Sequence, residues 1–175
     1  SAKSINALSF SNGGHYLAVS ESTNILIYNT LDGFPVATLR GHNNRVTSIF
    51  WQKFDSKVFS GGAEGAVFNW DVFTHQAGLN KRPEQFTGTV PVVTATGVLD
   101  GSKAFVCTVD GSLKELLYDE EAPKGSTLQI TPTKEIQLSH SISCMKYDES
   151  RTMLIMAGRS EDDVGSIICT LASPQ

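Results

Sequence analysis

The chain has 175 residues, of which 40% are hydrophobic and 18% are charged, values typical of a single folded domain. Its formal net charge is −4 and its pI is near 5.5, and Lys81-Arg82 is the only adjacent basic pair. This charge pattern argues against nucleic acid as a partner. Apolar runs reach about six residues, far fewer than the roughly 20 that a transmembrane helix needs, so no membrane partner is predicted.

The first predicted unit extends from about Ile5 to His42 and contains short apolar runs separated by turns. Strand-length runs that alternate and are rich in β-branched or aromatic residues indicate β-strands, and clusters of Gly, Asn, Asp and Ser indicate the reversals between them. The predicted strands are Ile5–Phe10, Tyr16–Ser20, Ile25–Tyr28 and Val36–Leu39.

The second unit has the clearest pattern. It opens with Gly41-His42, closes with Trp70-Asp71, and contains three predicted strands: Val46–Trp51, Lys57–Gly61 and Ala66–Trp70. A segment of about 30 residues with these ends resembles one WD40 repeat. Alternation predicts that at least one of Phe50 and Trp51 lies in the core. We expect an outer strand at Gln76–Leu79 and a long connection from Asn80 to Pro91.

The third and fourth units repeat this pattern less regularly. The runs predicted as strands are Val92–Gly97, Ala104–Thr108, Leu113–Tyr118, Glu135–Leu138, Ile142–Tyr147, Met153–Gly158 and Ser166–Leu171. A solvated insertion is predicted at 119–126. The last unit lacks a fourth strand.

The four units start near Ile5, Val46, Val92 and Ile142, at intervals of 41, 46 and 50 residues. WD40 repeats recur every 40–45 residues or so. The predicted fold is therefore all-β, a partial WD40 β-propeller of about four blades that occupies residues 1–175, with the last blade incomplete. Because WD40 rings contain more blades than this, we expect the chain to be a fragment of a larger protein. The alternative is a ring completed by a second copy or a partner.

The WD40 resemblance also implies a structural network inside the second unit. In such repeats a His, a Ser or Thr, an Asp and a Trp form a hydrogen-bonded chain. His42, Ser60 and Trp70 match three of these places, with Asp71 next to the Trp. Glu64 falls at the Asp place. Because Glu is longer by one methylene, the network is expected either to bend or to break there, with Glu64 then pointing to solvent.

No pattern in the chain predicts catalysis, a cofactor or a metal. The four histidines share no ligand-like spacing, and Cys107, Cys144 and Cys169 form no Cys-x-x-Cys pair. A pairing of His42 with Ser60 could suggest a nucleophile, but a structural hydrogen bond fits the repeat pattern better. The odd cysteine count in predicted strands favours free thiols in a reducing, cytoplasmic compartment.

A more specific resemblance comes from the order of the motifs. The segments 41–70, Phe10–His15 and Asp110–Leu116, the last with its Leu-Lys-Glu, resemble the ciliary WD-repeat family of cilia- and flagella-associated protein 57. The resemblance covers about residues 5 to 118 well. It implies a non-enzymatic scaffold of the ciliary or flagellar axoneme, which helps to attach inner dynein arms or regulatory complexes to doublet microtubules.

The leading hypothesis is thus a protein-interaction scaffold whose partners are axonemal dynein or doublet-associated proteins. An alternative is a general cytoplasmic WD40 adaptor, in ubiquitin ligation or trafficking. An enzyme on a propeller scaffold is the third class, and it lacks clustered acid, base or His residues at the strand starts. Loops carry most partner contacts. The candidate contact residues are Asn43, Asn44, Arg45, Asp119, Glu120 and Glu121.

Overall fold

The computed structural model describes residues 4–72, 84–117, 134–160, 162 and 164–171. In this part of the chain the strands form four antiparallel sheets, each built from consecutive strands, so every sheet is one sequence unit. The sheets are numbered here in chain order. The predicted all-β architecture is confirmed.

Each strand pairs with the next one along the chain. Sheet 1 contains β1 (Ile5–Phe10), β2 (Tyr16–Glu21), β3 (Asn24–Asn29) and β4 (Pro35–Arg40). Sheet 2 contains β5 (Val46–Trp51), β6 (Lys57–Gly62), β7 (Ala66–Asp71) and β8 (Glu84–Thr87). Sheet 3 contains β9 (Val92–Gly97), β10 (Lys103–Thr108), β11 (Ser112–Leu117) and β12 (Lys134–Gln137). Sheet 4 contains β13 (Ser141–Asp148), β14 (Met153–Arg159) and β15 (Gly165–Leu171). A short 3-10 turn, Lys53–Asp55, joins β5 to β6.

The outer strand of the second unit corrects the sequence-based prediction. β8 pairs with β7 through Ala66 opposite Thr87 and Phe68 opposite Gln85, inside the segment that was expected to be a long connection. The run predicted as the outer strand, Gln76–Leu79, lies outside the described residues. The connection expected from Asn80 to Pro91 thus contains a strand, which is held mainly by backbone pairing and contributes a buried Phe86.

Three apolar cores separate the four sheets. The first joins Ile25, Ile27 and Leu39 of sheet 1 to Trp51, Val58 and Trp70 of sheet 2. The second joins Phe59 and Val67 of sheet 2 to Val92, Ala104 and Leu116 of sheet 3. The third joins Phe105, Cys107 and Leu113 of sheet 3 to Ile142, Leu154 and Met156 of sheet 4. Sheets 2 and 3 therefore bury side chains on both faces, as period-2 alternation requires.

Antiparallel connection places the turns at two opposite ends of the sheets. At the lower end lie the turns that follow β1, β3, β5, β9 and β13. At the upper end lie the turns that follow β2, β6, β10 and β14, together with the segments that lead into β5, β9 and β13. The upper end of sheet 1 is joined to sheet 2 by a hydrogen bond from the Val46 N–H to the Ser22 carbonyl at 2.9 Å.

In the described part of the chain, no helix is long and apolar enough to cross a membrane.

Candidate functional site

A hydrogen-bonded network lies inside sheet 2, close to its upper end. The indole N–H of Trp70 donates to Ser60 Oγ at 2.8 Å. Ser60 Oγ lies 2.7 Å from His42 Nε2, and His42 Nδ1 lies 2.5 Å from Glu64 Oε1. Four side chains that are up to 28 residues apart along the chain are therefore joined in one line.

Donor and acceptor capacities give this line one direction. Trp70 can only donate, so Ser60 Oγ accepts from it and can donate its own hydrogen to His42 Nε2. A neutral imidazole that accepts at Nε2 carries its hydrogen on Nδ1, which then donates to the Glu64 carboxylate. Each donor thus points towards the negative charge at Glu64, and the neutral tautomer satisfies the buried polar atoms from Trp70 to His42.

Glu64 completes this line from the turn between β6 and β7. Burial alone would raise the pKa of its carboxyl, but the hydrogen bonds donated by His42 and by the Asn43 N–H outweigh burial and hold the pKa below its usual value. The Asn43 N–H also donates to Oε1, at 3.3 Å. Oε2 is buried and has no hydrogen-bond partner within the described residues. Of the two arrangements that the sequence left open, the carboxylate takes the one directed at His42.

Apolar packing shields the buried part of this network, His42, Ser60 and Trp70, from solvent. His42 contacts the Phe68 ring edge-on, with the centroids 4.5 Å apart, and Trp70 is fully buried against sheet 1. A Cβ on Gly41 would stand 3.0 Å from the Trp70 ring, so a residue without a side chain suits this position. Asp71 differs from the other four residues, since it is exposed at the end of β7 opposite Lys57.

The Ser60–His42–Glu64 arrangement has the connectivity of a hydrolase triad, but its environment is structural. Ser60 is 1% exposed, and its Oγ already accepts the Trp70 N–H. A substrate carbonyl has no access to an oxygen that is buried and occupied in this way. These side chains therefore fix the upper end of sheet 2 rather than present a nucleophile.

The loop above the network combines a fixed backbone with exposed side chains. Asn43, Asn44 and Arg45 are all exposed. Their backbone is held by the Asn43 N–H to Glu64, by the Arg45 N–H to Asn44 Oδ1 at 2.8 Å, and by the Ala63 N–H to the Arg45 carbonyl at 2.9 Å. The other candidate contact residues, Asp119, Glu120 and Glu121, lie outside the described residues.

At the lower end, a carboxylate joins sheets 1 and 2, a link that the sequence did not reveal. Asp55 Oδ1 accepts the Asn12 N–H at 2.7 Å, and Oδ2 accepts the Gly13 N–H at 2.8 Å. Burial would raise the pKa of Asp55, but these hydrogen bonds outweigh burial and lower it. The turns that contain Asn12 and Asp55 were both predicted. No local sequence pattern indicates that these two residues, 43 positions apart, come into contact.

The described residues contain no group of three or more His, Cys, Asp or Glu side chains that could hold a metal ion. Cys107 is buried and Cys144 is exposed, in sheets 3 and 4. Burial, followed by the charge of Asp110, raises the pKa of the Cys107 thiol to about 11.

Comparisons with known proteins agree with this geometry. The family model of the WD domain, G-beta repeat, matches residues 33–71, the segment that holds the network. The C-terminal WD40 domain of Sif2 superimposes with a TM-score of 0.74 at 19% identity, over 98% of this chain and 47% of that one. The chain therefore has the fold of a partial WD40 propeller, and residues 33–71 match one repeat. The WD40 domain of Toxoplasma gondii coronin gives a TM-score of 0.75 at 16% identity, over 97% of this chain and 44% of that one.

Curated relatives carry a ciliary name. Cilia- and flagella-associated protein 57 of Mus musculus is 32% identical over 108 residues, which is 62% of this chain and 8% of that protein. Cilia- and flagella-associated protein 57 C of Tetrahymena thermophila is 27% identical over 186 aligned residues, which is 95% of this chain and 13% of that protein. The resemblance stated from the sequence is thus confirmed at modest identity. The chain spans roughly a tenth of the length of these relatives. Proteins with the WD40 fold are generally non-enzymatic interaction scaffolds.

Proposed function

We propose that this WD40 domain is part of a non-enzymatic scaffold of the ciliary or flagellar axoneme, which helps to attach inner dynein arms or regulatory complexes to doublet microtubules. The observation that carries the proposal is the similarity to two cilia- and flagella-associated proteins from a mammal and a ciliate, at 32% and 27% identity. The ciliate alignment spans all four sheets, covering 95% of the chain.

The contact surface that we assign to this scaffold is the upper loop Asn43–Arg45. Three adjacent exposed polar side chains on a backbone held by Glu64, Asn44 and Ala63 make a preorganised surface, because little conformational entropy remains to be lost on binding. Asp119, Glu120 and Glu121 are further proposed contact residues, on the basis of the sequence alone.

Localisation of the tagged parent protein in a flagellated cell, before and after detergent extraction, tests the axonemal assignment. We expect the signal to stay on the axoneme after extraction. A cytosolic signal, or one that detergent removes, would contradict the axonemal role and favour the general cytoplasmic adaptor.

A pull-down from axonemal extract tests the loop itself. Arg45→Glu combined with Asn44→Ala is expected to reduce recovery of the partners that the wild-type domain captures, whereas Arg45→Lys retains them. Lys146→Glu is the matched control, because Lys146 is also exposed but lies on sheet 4. Equal recovery with all four proteins would rule out this loop as the contact surface.

A further inference from the structure

A cleft opens at the lower end between sheets 1 and 2, at the opposite end from the Asn43–Arg45 loop. Its volume is 330 Å³, at the small end of the range of about 300–1,000 Å³ that is typical of ligand pockets. Leu31 and Phe54 line it, and polar groups of His15, Thr30 and Asp55 complete its walls. This size suits one or two side chains of a protein segment.

The two apolar residues of the cleft are unusually exposed. Leu31 is 92% exposed and Phe54 is 82% exposed, and Phe34 in the same turn as Leu31 is 69% exposed. A single exposed apolar side chain needs no explanation, but several that are grouped around a cleft mark an interaction site.

The backbone at Phe54 turns this side chain outward. Its φ of 69° and ψ of 9° lie in the left-handed region, and Asp55 follows with a φ of 54°. A bulky aromatic residue rarely occupies this region, and such conformations concentrate where function requires them. The Asp55 carboxylate, bound to the Asn12 and Gly13 N–H groups, holds the turn in this conformation.

The opposite wall of the cleft is equally fixed. The Thr30 N–H donates to the His15 carbonyl at 3.0 Å, and Thr30 Oγ1 donates to the Gly14 carbonyl at 2.7 Å. The turn that carries Leu31 is therefore tied to the turn after β1, which is itself tied to Asp55. A cleft with both walls held in this way is preformed, which lowers the entropic cost of binding.

The charges around the cleft are mainly acidic. Asp32 stands next to Leu31, and Asp55 stands next to Phe54. The Lys53 ammonium lies over the Phe54 ring, 5.2 Å from its centroid, so two carboxylates and one ammonium flank the apolar residues of the cleft. Electrostatic complementarity then favours a basic partner.

We propose that this cleft binds a segment of a protein partner that places an apolar side chain between Leu31 and Phe54 and carries lysine or arginine beside it. The segment docks at the lower end of the sheets, so this surface acts independently of the upper loop assigned above. If the upper and lower ends of the sheets bind different partners, this one domain can bridge the two partners.

Selection from a displayed library of short random peptides, with the whole chain as bait, tests the proposal. The retained peptides are expected to share an apolar residue adjacent to Lys or Arg. Phe54→Asn is expected to weaken their binding by about tenfold or more, because it removes the ring that forms one wall. Asp32→Asn should weaken binding less, and its effect should disappear at high salt, as expected for an exposed charge.

The variants separate loss of the surface from loss of the fold. Asn tolerates the left-handed backbone better than Phe, so Phe54→Asn should not lower the thermal midpoint. Val109→Asn is the matched control, because Val109 is 62% exposed at the upper end, and Arg45→Glu should also leave peptide affinity unchanged. The proposal is overturned if no peptide is retained, if the retained peptides are acidic, or if Phe54→Asn binds them normally. It is also overturned if the wild-type chain self-associates in sedimentation and Phe54→Asn does not, since the occupant is then a second copy.

Discussion

Gly62 lies directly against the Glu64 carboxylate, and this contact depends on the missing side chain. A Cβ at position 62 would overlap both Glu64 Oε2 and His42 Nδ1. We therefore expect Gly62→Ala to destabilise the domain by about 1–3 kcal/mol, the usual cost of overpacking, as measured by urea denaturation. Gly165→Ala is the control, because a Cβ there meets nothing within 4 Å. Similar losses from both substitutions would contradict this account of Gly62.

The Trp70–Ser60 hydrogen bond predicts a coupling that stability measurements can isolate. Trp70→Ala should cost about 3–5 kcal/mol, as for other buried aromatic residues. Trp70→Phe keeps most of the ring but leaves Ser60 Oγ without its donor, at a cost of about 1–3 kcal/mol. In a double-mutant cycle with Ser60→Ala, the combined loss should fall below the sum of the single losses. Strict additivity would show that the bond contributes nothing.

The lowered pKa of Glu64 predicts how stability changes with pH. A carboxyl whose folded-state pKa is below its unfolded-state value of about 4.3 stabilises the fold above that value. This stabilisation is lost as the pH falls through the folded-state pKa. The difference in unfolding free energy between the wild-type protein and Glu64→Gln should therefore be largest at neutral pH and shrink in acid. Val109→Asn, an exposed substitution that changes no ionisable group, should show no such trend. A constant difference at every pH would contradict the prediction.

The Asp55 link predicts that sheets 1 and 2 can be loosened from their lower end. Asp55→Asn replaces a carboxylate that accepts two backbone N–H groups of the neighbouring sheet, and it should cost about 1 kcal/mol, reduced by partial solvent exposure. Hydrogen exchange at the Asn12 and Gly13 amides should increase. Asp32→Asn alters a carboxylate that accepts an N–H within its own turn only, that of Phe34, and should leave both amides unchanged.

Thiol accessibility predicts the order in which the cysteines react. In a Cys169→Ser background, the exposed Cys144 should react with a thiol reagent in the native state. Cys107 should react only after denaturant is added, because it is buried and its pKa is raised to about 11, so the thiolate is scarce at neutral pH. Rapid modification of both native thiols would show that the third core is open.

The sequence predicted the inner three strands of every sheet because their apolar residues alternate with period 2 between clear turns. It missed β8, since backbone pairing with β7 holds that strand and leaves little trace in a run such as Glu-Gln-Phe-Thr. It left Glu64 undecided because the outcome depends on space: the carboxylate reaches His42 only where Gly62 makes room. The Phe54 cleft was also missed, since it forms where turns from two separate units meet.

The face on which Trp70 lies has a consequence for how the protein is made. Trp70 packs on sheet 1, which precedes it in the chain. Phe59, on the other face of sheet 2, packs on sheet 3, which is translated later. As the chain leaves the ribosome, the His42–Trp70 line can close against strands that have already emerged. Each later sheet then covers the apolar face left by the one before it, so the growing chain shields its newest aromatic residues in the same order in which it is translated.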